Sequence, residues 1–270
     1  MDLGLSGKAC VVTGASRGIG RETARRLCEE GAQVLLVART ADTLAEAADE
    51  CGRAGAAANG RAAPLALDVT AADVGERMLS EATERFGQLD VLVNNAGTSK
   101  HRDLDDVPDE DWYEAWQVNV MAPLRAMRAA VPGMVERSWG RIVNVSSTAG
   151  KRPSANMAEY SVAKAAELSL SRLFADRYAG DNVLVNAVAP GPTKSEMWME
   201  EGGLLDQSKE LGGHPSREAA LEAGGAKRPI GRLAEVGEIA AAIVFLCSEQ
   251  ASYVAGAAWS VDGGTVQVII

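Results

Sequence analysis

The sequence predicts an α/β protein: one doubly wound, seven-stranded parallel sheet with helices on both faces. Three observations predict it. Short β-branched runs alternate with longer amphipathic segments. The runs are apolar almost throughout, as strands buried on both faces must be. The first of them leads straight into a glycine-rich turn that opens a helix, which is how a parallel βα unit begins.

The elements follow in order. ACVVTG from Ala9 reads as the first strand and QVLLVA from Gln33 as the second. APLALD from Ala63, DVLVNN from Asp90, RIVNVSS from Arg141, VLVNAVAP from Val183 and AAWSVDGG from Ala257 supply the rest. Between them, IGRETARRLCEEG, ADVGERMLSEATERFG and DEDWYEAWQVNVMAPLRAMRAAVPGMVER carry helical periodicity. Gly31 and Gly87 stand where helices end before the second and fourth strands, and glycine takes the left-handed conformation that such ends favour. No repeat, low-complexity run or linker divides the chain, so residues 1–270 read as a single domain. The weakest pattern lies at about 192–230, with EGG, LGGHP and EAGGAKRP. Glycine, proline and charge there predict a mobile lid of short helices over the strand ends, where substrates are held.

Composition excludes several functions. A net charge of −10 would repel phosphate-rich polymers, so nucleic acid is not an expected partner. The apolar runs are short and broken by charge, so no membrane span is expected. The opening MDLGLSGKACVVTG has no basic region followed by a long apolar core, which argues against a secretory leader. Cys10, Cys28, Cys51 and Cys247 are scattered without paired spacing and read as buried, reduced thiols of a cytoplasmic protein. His101 and His214 have no cysteine or carboxylate at ligand spacing, so no metal is expected.

The glycine-rich turn is TGASRGIG, Thr13 to Gly20, between the first strand and the first helix. Gly14 permits a tight turn, Gly18 lets backbone approach a pyrophosphate, and Gly20 lets helix pack closely on strand. The helix N-terminus adds free N–H groups and partial positive charge, so the turn reads as a dinucleotide site. At the end of the second strand, Val37-Ala38-Arg39 offers no carboxylate to bond ribose hydroxyls. Arg39 and the loop's Arg17 instead suit a 2′-phosphate, which favours NADP(H) over NAD(H).

With T-G-x-x-x-G-x-G in this position, the chain resembles the short-chain dehydrogenase/reductase family, whose fold is Rossmann-like. The resemblance implies further site residues. Ser16 and Ile19 would line the glycine loop, and Asp68 would bond the adenine amino group with Val69 beside it. Asn95, Ala96 and Gly97 of NNAG would run along the adenosine side of the cofactor. Asn119, in WQVNVMAP, matches the family's helix-kinking asparagine, whose backbone carbonyl holds a water leading to the active-site lysine. Pro190-Gly191, followed after three residues by Ser195 where the family has threonine, would meet the nicotinamide, with Thr193 at its carboxamide.

The catalytic pattern is equally local. AEYSVAKAAELSLS places Tyr160 four residues before Lys164, one helical turn away. Ser147 lies thirteen residues before Tyr160, the family spacing, and Ser146 is read as structural. Reducing a carbonyl needs a hydride on carbon and a proton on oxygen. A free phenol has a pKa of about 10, and a nearby ammonium favours its phenolate. By resemblance, Tyr160 is the general acid and base, Ser147 bonds the substrate oxygen, Lys164 bonds the nicotinamide ribose, and Asn119 completes a proton chain.

Three functional readings fit. The first is an NADP(H)-dependent oxidoreductase acting on a small ketone or aldehyde and the matching alcohol. The second is a 3-oxoacyl-thioester reductase. The third is a cofactor-binding sensor or scaffold without turnover, which would not need Tyr160 and Lys164. Two basic positions that dock an acyl carrier protein in related reductases fall on Ser138 and Asp181, although Arg137, Arg141 and Arg177 lie near them. Met197 and Trp198 are candidate pocket residues. Lys151 and Arg152 are either anion receivers or solvated surface. The last helix and strand resemble elements that build family interfaces, so a homotetramer or dimer is expected, with the apolar tail TVQVII buried there.

Overall fold

A computed structural model describes residues 1–267. Among them lie the strands β1 Ala9–Thr13, β2 Gln33–Ala38, β3 Arg61–Ala66, β4 Val91–Asn94, β5 Gly140–Val145, β6 Val183–Pro190 and β7 Ala258–Val261. They form one sheet in the order β3-β2-β1-β4-β5-β6-β7, and every neighbouring pair is parallel. The order reverses between β1 and β4, the switch point at which sheets of this kind bind ligands. The expected strands are all present, with edges shifted by one to three residues at β1, β3, β4, β5 and β7.

The helices are α1 Gly18–Glu29, α2 Ala41–Gly55, α3 Val74–Phe86, α4 Asp109–Trp116, α5 Ala122–Glu136, α6 Thr148–Lys151, α7 Ala158–Tyr178, α8 Glu196–Met199, α9 Leu204–Gly212, α10 Arg217–Ala226 and α11 Val236–Leu246. Side chains alternate across the sheet, as the two-residue period of a strand requires. Cys10 and Val12 enter a core with Leu27, Leu44 and Ile243. Val11 enters the opposite core with Met78, Met127 and Ile142. Each fully buried valine or leucine contributes roughly 1.5–3 kcal/mol, so two dry faces hold the sheet rigid beneath its loops. Gly31 and Gly87 end their helices at φ 82° and 87°, in the left-handed region.

One expected helix is interrupted. Between α4 and α5 the residues Gln117–Met121 form a π turn, an arrangement that widens the hydrogen-bond ring and is frequent at functional sites. The weakly patterned segment holds α8, α9 and α10. All four cysteines are buried and free. Among the described residues no helix is long and apolar enough to cross a membrane, and no group of three His, Cys, Asp or Glu is placed to hold a metal. The end of the apolar tail, 268–270, lies outside the described residues.

Candidate active site

A cavity of about 1400 Å³ opens at the carboxyl ends of the strands. It runs from the glycine loop, past the ends of β4 and β5, to α7 and the segment after β6. Gly14, Ser16, Arg17, Gly18, Ile19, Arg39, Asp68 and Val69 line one end. Asn95, Ala96 and Gly97 line the middle. Ser147, Tyr160, Lys164, Pro190, Gly191, Thr193, Ser195, Met197 and Trp198 line the other. Two expected site residues, Gly20 and Asn119, stand behind the wall instead of on it.

The glycine loop is bound from below. Gly14 and Gly18 have φ of 64° and 59°, which only glycine adopts readily. A Cβ on Gly20 would run into the Gly14 carbonyl oxygen and the Asn95 amide. Asn95 donates from Nδ2 to the carbonyls of Thr13 at 2.9 Å and Gly14 at 3.2 Å. The backbone N–H groups of Asn95 and Ala96 both donate to Thr13 Oγ1 at 3.0 Å. Deeper still, Asn94 donates to Asn144 at 2.8 Å, and Asn144 to Ser171 Oγ at 2.8 Å. This chain of amides ties β4, β5 and α7 together.

No side chain caps the N-terminus of α1, and its first turn carries no acidic residue. Its free N–H groups and partial positive charge remain available to an anion. The segment after β6 lies across it. Arg17 Nη1 pairs with Glu200 at 2.6 Å, and Arg21 with Glu196 at 3.5 Å. Asp68 Oδ1 accepts from the backbone N–H of Thr70 at 2.9 Å and its hydroxyl at 2.8 Å. These bonds hold the Asp68 carboxyl below its ordinary range, with a smaller pull from the Arg39 guanidinium.

At the other end, Ser146 and Ser147 are placed differently. Ser146 is buried and donates to the Lys164 carbonyl at 3.0 Å. Ser147 lines the cavity and caps α6, its Oγ accepting from the Ala149 N–H at 3.1 Å. Tyr160 is half-buried on the first turn of α7. Lys164 is 2% exposed, and its Nζ lies 5.8 Å from the Tyr160 ring centre. That Nζ donates to the Val145 carbonyl at 2.8 Å and to Glu167 Oε2 at 2.8 Å. Asn119 sits in the π turn, fully buried. Its Nδ2 donates to the Ala115 carbonyl at 2.9 Å, and its Oδ1 has no partner. A Cβ on Gly97 would lie 3.1 Å from that Oδ1 and 3.7 Å from Lys164 Nζ. The bare glycine therefore leaves the two groups facing one small space.

Several residues here escape local sequence reading. Glu167 is a buried partner of Lys164. Glu196 and Glu200 meet arginines of α1's first turns. His101 Nδ1 lies 3.3 Å from Ser208 Oγ, and its ring meets Trp198 edge-on at 6.2 Å. Burial pushes this imidazole toward its neutral form. With Arg152 and Asn156 it gives the substrate end a polar wall. Lys151, by contrast, is turned to β7, donating to the Ala258 carbonyl and to Ser260 Oγ at 2.9 Å. Of the arginines near the docking positions, Arg141 is buried and bonded to the carbonyls of Gly140 and Asn182. Arg137 is bonded to that of Leu89.

A family model described as short chain dehydrogenase matches residues 8–203. The chain belongs to the short-chain dehydrogenase family. This short-chain dehydrogenase is 35% identical to a 3-oxoacyl-[acyl-carrier-protein] reductase of Vibrio cholerae, over 98% of this chain and 100% of that one. It is 38% identical to the cis-4-hydroxycyclohexanecarboxylate dehydrogenase of Sinomonas cyclohexanicum, over 97% of each. The L-sorbose reductase of Gluconobacter frateurii, solved with NADPH and L-sorbose, superposes with a TM-score of 0.91 at 35% identity and full coverage of both chains. The short-chain dehydrogenase is thus an oxidoreductase, with the Rossmann-like fold of its relatives.

Proposed function

We propose that the chain interconverts a small ketone or aldehyde and the matching alcohol with NADP(H), and that Tyr160 is the general acid and base. The observation that carries this reading is the meeting of Ser147, Tyr160 and Lys164 on one cavity wall that continues into the glycine loop. A dinucleotide fits the residues present. Gly14 and Gly18 hold the turn that α1 needs, the α1 N-terminus is uncapped, and Gly20, lacking a Cβ, lets α1 sit hard against that turn. Gly14, Ser16, Gly18 and Ile19 would hold the pyrophosphate, and Asp68 and Val69 the adenine. Asn95, Ala96 and Gly97 would flank the adenosine. Pro190, Gly191, Thr193 and Ser195 would hold the nicotinamide end. Arg17 and Arg39, with no carboxylate at the end of β2, support a 2′-phosphate and hence NADP(H). When bound, the cofactor supplies or accepts the hydride.

The protein handles the proton. In reduction Tyr160 gives its phenolic proton to the nascent alkoxide, and in oxidation its phenolate takes that proton back. Ser147 donates a hydrogen bond to the same oxygen, where charge develops. An ammonium has three donors. Lys164 places two on Val145 and Glu167, leaving the third for the nicotinamide ribose. Asn119 faces the space beside Lys164 through which a proton is resupplied.

The polar wall of His101, Arg152 and Asn156 supports a small, polar substrate. The Vibrio cholerae relative supports a second reading, an acyl-thioester substrate. The burial of Arg141 and the bonding of Arg137 weigh against docking of an acidic carrier protein. Exposed Val162 and Leu173 on α7, with Tyr113 and Trp116 on α4, support a homotetramer or dimer, which light scattering would test. The function is tested by titrating NADPH and NADH, then assaying polyhydroxy ketones, carboxylate-bearing cyclic ketones and acyl thioesters. Tighter binding of NADPH and turnover of a small polar ketone are expected. Superior kcat/KM on a carrier-bound thioester would replace this reading with the second, and NADPH binding without any turnover would favour a sensor.

A further inference from the structure

One buried carboxylate takes no part in the chemistry proposed above. Glu167 lies three residues after Lys164 on α7, with its side chain 1% exposed. Its Oε2 is 2.8 Å from Lys164 Nζ, and its Oε1 has no partner. Such a residue is costly. A buried ion pair is often no more stable than apolar side chains of the same volume, so core packing does not call for a carboxylate here. Burial in fact pushes the Glu167 carboxyl up to about 7, although the Lys164 ammonium pulls the other way.

The need lies with Lys164. An ammonium this deeply buried has lost its hydration, and an opposite charge within hydrogen-bond reach offsets that loss. The Val145 carbonyl contributes a dipole, and Glu167 contributes the opposite charge. Lys164 is the charged group that acts on the Glu167 carboxyl. From β5 and its end come Asn144, the Val145 carbonyl and the Ser146 hydroxyl. From α7 comes Ser171, whose Oγ donates to the Glu167 carbonyl at 2.8 Å. Met127 of α5 and Asn119 of the π turn close the surroundings of Asn144 and Lys164. The titratable groups on the first turn of α7 are Tyr160, whose ring centre lies 5.8 Å from Lys164 Nζ, and the buried Glu159, whose Oε2 has no partner.

We propose that Glu167 is a positioning residue for the catalytic centre: its carboxylate keeps the buried Lys164 charged and fixed against β5, and thereby governs the ionisation of Tyr160. The proposal rests on the reading of Tyr160 and Lys164 given above.

The test follows the Tyr160 phenol by ultraviolet difference titration of the cofactor-free enzyme, with Tyr160→Phe identifying its signal. In Glu167→Gln the buried ammonium loses its counter-charge and is expected to give up its proton, so Tyr160 loses the positive charge that favours phenolate. Its midpoint is expected to rise by about one pH unit or more. The acidic limb of the kcat profile for alcohol oxidation should rise with it. Glu167→Asp keeps the charge and should return most of the shift. A midpoint that is unmoved or lowered in folded Glu167→Gln overturns the proposal. Where the glutamine variant does not fold, Glu167→Met, of similar length and uncharged, takes its place, with the same rise expected and an unmoved or lowered midpoint overturning the proposal. The two layers fail separately. Turnover that survives Tyr160→Phe sinks the acid/base assignment. Turnover lost in that variant, with an unmoved midpoint in Glu167→Gln, sinks the role of Glu167 alone.

Discussion

The two ends of the cavity are each built around an ion pair, and the pairs are opposites. Lys164 and Glu167 meet at 2.8 Å with side chains 2% and 1% exposed. Arg17 and Glu200 meet at 2.6 Å with side chains 56% and 52% exposed. A pair in solvent is worth about 0–1 kcal/mol and is screened by salt. Breaking a buried pair by removing one partner costs about 3–5 kcal/mol, because a charge is left stranded. The Lys164 end therefore cannot exchange partners, whereas the glycine-loop end can. An anion entering beside the glycine loop would draw Arg17 away from Glu200 at little cost.

The contrast can be tested by damaging each end in turn. The largest of these effects is expected at the catalytic end. Ser147→Ala should lower kcat by about 10²–10³-fold, because it removes a donor aimed at developing charge, while NADPH binding by fluorescence stays unchanged. A fall in cofactor affinity instead would place Ser147 in binding. At the adenosine end, Arg39→Ser should weaken NADPH about tenfold, or about 1.4 kcal/mol, and leave NADH nearly untouched. Equal losses for both cofactors would remove the 2′-phosphate from the account.

The buried pair also marks stability. Glu167 binds its proton more tightly folded than unfolded, since burial lifts its carboxyl from about 4.5 to about 7. The folded chain thus holds more protons across that window, so this contribution is present at low pH and lost as pH rises through it. Chemical denaturation of Glu167→Gln should show a flatter dependence between those limits. A dependence identical to wild type would mean the carboxyl ionises normally. The smallest effect belongs to the exposed pair. Glu200→Gln should change stability by less than about 1 kcal/mol and tighten NADPH modestly. That gain should fade at high salt, and a large loss of stability would contradict the contrast.

The sheet was legible because its signals are local. QVLLVA and VLVNAVAP are apolar runs that only a twice-covered strand accommodates, and Gly31 and Gly87 ended helices where their positive φ allowed. That Ser147, Tyr160 and Lys164 would meet on one cavity wall was legible for the same reason, since they lie within eighteen residues of chain. Asn119 was placed by family resemblance alone, and its π turn has no signature in QVNVM. The partners of Arg17 and His101 were invisible because each lies more than a hundred residues away in sequence, at Glu200 and Ser208. Glu167 was hidden differently. It sits beside the motif, but α7 distributes polar and apolar side chains around its whole circumference, so spacing did not reveal that this carboxylate points inward.

The central claim is that Tyr160 moves the proton while the rest of the cavity binds. The direct measurement is Tyr160→Phe, assayed for turnover on the best substrate of the panel and for NADPH binding by fluorescence titration. The account predicts turnover reduced by about 10²–10⁴-fold with NADPH affinity within twofold or so of wild type. Turnover near normal would contradict it, and so would loss of turnover that merely follows a loss of cofactor binding.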